Sequence, residues 1–301
     1  MEFRKIIEFG KSSYIVSLPK KWVTANKLKK GDVVNVEETA EGLVILPKHK
    51  DRKEETSITI NVDNQSMKAI RSQIVSSYIQ GHHEMIFQGK NLAEHAEDIR
   101  ESIHNLIALE IMEETSKKIV AKDFLNIREL SVENLIRKMD IIVKEMISDS
   151  KQAKDSDVHA NIVIRDSDIN RIVYLVFRII RHLQNNPRPA KGMSDEELLK
   201  SWVVADSIES IGDHVKSVAG VMRNVKRLEE DGWNDLFRTY TEVETMYRNA
   251  IKSYYTKDVE LAYKLTVERY ELRDACEDLY SKYWKVKYLS QIIERFKFMI
   301  S

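Results

Sequence analysis

The stretch Ser194–Met222, SDEELLKSWVVADSIESIGDHVKSVAGVM, decides the fold. Ser194 with Glu197 three residues later is a capping box, in which each side chain satisfies a backbone N–H of the other's turn, so a helix starts there. Its apolar residues Val204, Ile208, Ile211, Val215, Val218 and Met222 step by 4, 3, 4, 3 and 4, the seam of a helix packed in a bundle. The same rhythm precedes it twice. Val132, Leu135, Ile136, Met139, Ile142, Val143 and Met146 mark one amphipathic helix, and Ile169, Ile172, Val173, Val176, Ile180 and Leu183 mark another over 155–183. Asn185-Asn186-Pro187-Arg188-Pro189 breaks the chain before the third. Three such helices with short joints predict an antiparallel bundle.

A second round follows Asp231-Gly232, with helices expected over Leu236–Tyr255, Asp258–Lys282 and Tyr288–Ile300. Lys154-Asp155 and Lys257-Asp258 stand at similar helix starts about a hundred residues apart, which suggests a duplicated three-helix unit with a short last helix. The two repeats are expected at 131–230 and 231–301.

The first repeat carries the strongest chemical constellation. At 100° per residue, Asp206, Glu209 and Asp213 lie at roughly 0°, 300° and 340°, whereas the apolar stripe centres near 170°. An acidic row facing away from the core can bind a cation through oxygens, or it can be an ordinary solvated helix face.

Upstream, residues 51–130 read as a linker and a small α/β subdomain. Lys50–Glu55 is a solvated charge run. Thr56–Val62 alternates as a strand, Met67–Ile79 is helical until Gly81, and Met85-Ile86-Phe87 is a short strand. Leu92–Leu109 reads as helix, and Glu110–Phe124 as either a hairpin about Thr115-Ser116 or a continued helix. The order expected is βαβαββ. His82, His83, His95 and His104 fall here without a cysteine beside them, and their spacing favours surface histidines over a zinc site.

Residues 1–50 differ in kind. Arg4–Phe9 and Ser13–Leu18 are β-rich runs separated by Gly10-Lys11-Ser12. Pro19 opens a short helix over Lys20–Asn26, and turns at Gly31-Asp32 and Glu41-Gly42 precede strands Val33–Glu37 and Leu43–Pro47. Fifty residues built this way can hardly bury a core alone, so pairing with a second copy is expected.

Composition agrees with a helical body on a small β-rich head. The 301 residues include only 9 Gly and 4 Pro, too few for a sandwich or barrel rich in tight turns. Of these, Gly10, Gly31, Gly42, Pro19 and Pro47 all fall in the head. Cys276 alone excludes an intramolecular disulfide framework and fits a reducing cytoplasm, and no run of apolar residues is long enough for a membrane span. The formal net charge is zero, yet residues 1–30 carry eight basic side chains against two acidic ones, +6, leaving −6 for the rest. A basic head on an acidic body points to an anionic partner at one end.

The head resembles the swapped-hairpin AbrB family (AbrB/MazE/SpoVT-like domains) over Arg4 to Pro47. The residues that carry this are Gly10, Ser17-Leu18-Pro19-Lys20, Trp22, Leu28-x-x-Gly31-Asp32-x-Val34 and Leu46-Pro47. The resemblance implies an interlocked homodimer that binds DNA, here through Arg4, Lys5, Lys11, Lys20 and Lys21. With one arginine among lysines, phosphate contacts outweigh base readout. The helical body resembles the PhoU family, regulators of phosphate uptake. Ile208–His214, IESIGDH, matches its Glu-x-x-x-Asp signature, and Val163–Val173, VIRDSDINRIV, its companion helix. That resemblance implies two three-helix bundles and iron or zinc held on surface carboxylates, here Asp166, Asp206, Glu209 and Asp213. Asn170 and Tyr270 stand where the family has other ligands.

The fold expected is therefore mainly α, two PhoU-like antiparallel three-helix bundles behind an AbrB-like head and a small α/β region. A head and body in this order resemble archaeal phosphate uptake regulators. The first functional expectation is a cytoplasmic, non-enzymatic DNA-binding dimer whose body senses metal, phosphate state or a partner. The alternative is an adaptor that controls a phosphate transporter ATPase or a signalling kinase by protein contact. No phosphate-binding Gly-rich loop, Ser-His-Asp order or HExxH motif supports an enzyme.

Overall fold

The structure, a computed structural model, describes residues 3–39, 42–47, 56–154, 156–185 and 193–301. The chain divides into an N-terminal head and a body that begins at Thr56.

In the head, strands β1 (Ile7–Phe9) and β2 (Ser13–Ile15) form an antiparallel hairpin, helix α1 spans Lys20–Ala25, and β3 (Val34–Thr39) pairs antiparallel with β4 (Gly42–Pro47). Gly10 closes the first turn at φ +71°, a conformation that costs glycine little. Asp32 accepts the Lys29 N–H at 2.7 Å and so shapes the turn that Gly31 completes. None of the head side chains whose burial is described is buried in one copy. Ile7, Phe9, Tyr14, Val36 and Leu43 are all more than half exposed. A fully buried large apolar side chain contributes roughly 1.5–3 kcal/mol, and a single head gathers none of that.

The body starts with the expected βαβαββ order. Strand β5 (Ser57–Asn61), α2 (Met67–Gln80), β6 (Glu84–Gln88), α3 (Leu92–His104), β7 (Leu109–Glu114) and β8 (Lys118–Asp123) follow one another. They build a sheet of order β5-β6-β8-β7, with β5 parallel to β6 and the other pairs antiparallel. A two-residue period puts Ile60, Met85, Phe87, Ile119 and Ala121 on the face covered by Ile70, Ile74 and Tyr78 of α2 and Ile99 and Ile103 of α3. The hairpin alternative for Glu110–Phe124 is the one realised, its turn held by the Thr115 N–H bond to the Lys118 carbonyl at 2.8 Å. One expectation fails here. Helix α3 stops at His104, and Ala108 takes φ +62° before β7 begins at Leu109. Leu106 and Leu109 continue a helical apolar spacing yet reach the same core from a turn and a strand.

Six helices follow: α4 (Val132–Ser150), α5 (His159–Asn185), α6 (Asp195–Met222), α7 (Glu230–Thr256), α8 (Val259–Tyr283) and α9 (Leu289–Met299). Helices α4, α5 and α6 pack on one another, α7, α8 and α9 make the second set, and α6 packs on α9. One apolar core runs through both sets, and 62% of the described residues are helical. The capping box at Ser194 and Glu197 is formed, and Ser131 and Asp258 cap α4 and α8. Asp155 lies outside the described residues, and α5 starts only at His159. Asp231-Gly232 is no break: it sits in the first turn of α7, and the chain turns earlier, where Arg227 takes φ +64°. A Cβ at Gly232 would meet Leu228 Cδ1 at 2.2 Å, so the Leu228 side chain would have to shift to admit one.

The subdomain and the bundle are joined through α2 and α5. Tyr174 of α5 packs against both cores, and the Arg178 guanidinium lies 4.5 Å from the centre of the Tyr78 ring. Among the described residues, no helix is long and apolar enough to cross a membrane.

Candidate functional site

Two groups of charged side chains were expected to carry function, and each is built by local structure. In the head, Arg4 and Lys5 precede β1, Lys11 sits in the β1–β2 turn, and Lys20 and Lys21 open α1; all five are exposed. Pro19 preorganises the start of α1, and the Asn26 side chain donates to the Trp22 carbonyl at 2.8 Å near its end. Arg4 donates to the Ser17 hydroxyl at 3.4 Å, which brings the N-terminal segment to the connection that leads into Lys20 and Lys21. Lys11 stands at the closed end of a hairpin three residue pairs long, about 10 Å away along the strands.

In the body, the cluster forms where α5 and α6 approach closely. Gly212 permits that approach: a Cβ there would stand 3.1 Å from Ile169 Cδ1 and 3.7 Å from Val143 Cγ2. The contact brings buried Asp166 of α5 to the acidic row of α6. The cation at the centre is a side chain of the protein itself. Lys216 Nζ lies 2.6 Å from Asp166 Oδ2 and 2.6 Å from Asp213 Oδ1, and Asn170 donates to the same Asp166 oxygen at 3.3 Å.

The geometry departs from a four-carboxylate ligand set in two ways. Asp206 is exposed one turn away, and Glu209 is half-buried rather than turned to solvent. Among the described residues, no three His, Cys, Asp or Glu side chains are grouped to hold a metal ion. The Lys216 ammonium engages one oxygen of each carboxylate, Asp166 Oδ2 and Asp213 Oδ1, where iron or zinc would compete with it.

The electrostatics follow from this packing. Burial pushes the Glu209 carboxyl up to about 7, helped by the negative charges of Asp213, Asp206 and Asp166 and opposed by Lys216. Burial also raises Asp166, against the pull of Lys216. Lys216 itself is raised: burial would lower it, but its bonds to Asp166 and Asp213 outweigh that cost. Burial, then Glu209 and Asp213, raise the Tyr174 phenol, and Arg71 of α2 works the other way. Chemically this is an ion cluster in which one ammonium is shared by two carboxylates, beside a third carboxyl, Glu209, pushed up to about 7.

Lys216 and Tyr174 were not singled out from the sequence. Lys216 stands three residues after Asp213, a helical ion-pair spacing, and that signal was available. Its bond to Asp166, fifty residues away, depends on the α5–α6 register.

A family model described as "Antidote-toxin recognition MazE, bacterial antitoxin" matches residues 9–53, the head. No curated protein and no solved structure matches the chain.

Proposed function

We propose that the protein is a DNA-binding regulator that works as a homodimer, with the head as its DNA-binding and dimerisation element. One observation carries this: the head presents Arg4, Lys5, Lys11, Lys20 and Lys21 among its exposed cations, and none of its side chains whose burial is described is buried. Exposed apolar strands need a partner surface, and a second copy of the same head supplies one by two-fold symmetry. The likeness of residues 9–53 to an antitoxin family supports a regulatory role over a catalytic one. Arg4, Lys5, Lys11, Lys20 and Lys21 then contact backbone phosphates, and dimerisation doubles their number without adding any residue type.

The finer reading is that the regulated process is phosphate uptake. Support comes from the IESIGDH motif at Ile208–His214 and from two successive three-helix sets, the order expected of a PhoU-like body. In this reading the body receives the signal, and the Asp166, Glu209, Asp213 and Lys216 cluster is its charged centre. A titration of duplex DNA into the full chain at low salt tests the head. Binding that weakens uniformly over unrelated sequences in Lys20→Ala/Lys21→Ala supports phosphate contact, and no binding at low salt ends the proposal.

A further inference from the structure

The α2–α5 junction holds a groove of about 460 Å³ that neither the head nor the carboxylate cluster uses. One wall is a single face of α2. Lys68, Arg71, Ser72, Val75, Ser76 and Ile79 fall at steps of 3, 1, 3, 1 and 3, so their side chains line up along the helix. The other wall is α5, with Tyr174 and, two turns on, Arg181.

Three cations therefore border one concavity, and among the described residues none of them is ion-paired. Arg71 makes a single bond, from Nε to the Ser102 hydroxyl at 3.4 Å, which leaves its terminal amines unengaged. By comparison, Arg100, Arg137, Arg165, Arg178 and Arg248 of the body meet carboxylates. Like charges on the border of one concavity repel one another, and an anion between them relieves that repulsion. The hydroxyls of Ser72, Ser76 and Tyr174 add neutral donors, and half-buried Val75 and Ile79 add apolar surface.

We infer that this groove binds a phosphorylated small molecule of nucleotide size, its phosphoryl group between Arg71 and Arg181 and its less polar part against Val75, Ile79 and Tyr174. Arginine forks match phosphoryl oxygens in pairs. The volume falls in the range of small-molecule sites.

The test is calorimetric titration of AMP, ATP and inorganic phosphate into the full chain and into Arg71→Ala, Arg181→Ala and Lys20→Ala/Lys21→Ala. The site predicts one nucleotide per chain, bound roughly tenfold or more weakly by either arginine variant and unchanged by the head variant. Inorganic phosphate, which cannot use the apolar wall, should bind roughly tenfold or more weakly than AMP. Arg181 is exposed and makes no bond among the described residues, so its loss leaves folding intact, and far-ultraviolet circular dichroism checks this. Ser76→Asp, also at an exposed position, should abolish binding by repulsion. The assignment is overturned if neither nucleotide binds, if both arginine variants bind as the parent does, if binding is lost only with the head lysines, or if inorganic phosphate binds as tightly as AMP. None of these outcomes depends on whether the head binds DNA.

Discussion

Arg178 of α5 and Asp123 at the end of β8 form an ion pair of 2.5 Å, with their side chains only 3% and 6% exposed. The Asp123 carboxylate also accepts the Leu125 N–H at 3.0 Å, and Arg178 lies over Tyr78, whose hydroxyl donates to the Ile107 carbonyl at 2.9 Å. Burial pushes that phenol up to about 12, so it stays a donor throughout the neutral range. These contacts fasten the α/β subdomain to the first three helices and set the distance between the two walls of the groove.

Breaking that pair on one side leaves a buried charge without its counterpart. Arg178→Ala or Asp123→Ala should each cost about 3–5 kcal/mol in urea unfolding, whereas Arg178→Met with Asp123→Leu should cost far less. Single variants as stable as the parent would remove the pair from this role.

Lys216 is the second such joint, less buried and more screened. Lys216→Met should destabilise by about 1–2 kcal/mol, because Asp166 loses a charged partner where water cannot fully replace it. Adding Asp166→Asn should recover most of the loss, and a thermal melt of the three proteins checks it.

Glu209 gives the pH dependence its sign. Its folded value of about 7 lies above the ordinary 4.5, so the fold favours the protonated form. That contribution is complete below pH 4.5 and is lost as pH rises through about 7. Glu209→Gln should therefore gain stability relative to the parent between those pH values, and carboxyl chemical shifts should titrate near 7 for Glu209 in the parent. A Glu209 midpoint at 4.5, or a stability difference independent of pH, would contradict this.

The head should reveal its partner through single apolar positions. Ile7→Asp and Val36→Asp change side chains that are 61% and 59% exposed in one copy, where such changes ordinarily cost little. If a second copy covers them, sedimentation should report conversion from dimer to monomer with the body's unfolding transition unchanged. A dimer that survives both substitutions would place the interface elsewhere.

Much of this was legible in the sequence, for reasons that particular residues make clear. The 4-3 stepping of Val204 to Met222 and the Ser194–Glu197 box are local signals, and they located α6 within a residue. Gly81 is likewise local, and it ends α2 where expected, whereas the turn at Thr115 is one of the two alternatives the sequence leaves open. Misreadings arose where one residue type serves two conformations. Leu106 and Leu109 fit a helical period and a turn-strand junction equally well, and Gly232 reads as a break although it lies in the first turn of α7. The candidate site was legible only within one helix. Asp206, Glu209 and Asp213 could be placed on α6 by rotation alone, but the Lys216–Asp166 contact and the Arg71–Arg181 groove each require two helices to be set in register, and no single-helix periodicity encodes that.

The basic head carries the proposed function, and the salt dependence of DNA binding tests it most directly. Fluorescence anisotropy of labelled duplex DNA should give a steep linear fall of log affinity with log salt. Lys20→Ala/Lys21→Ala removes four cations from a dimer and should flatten the slope by roughly 3–4. An affinity that is absent at low salt, or a slope that the double variant leaves unchanged, would contradict the claim that this head binds DNA through these lysines.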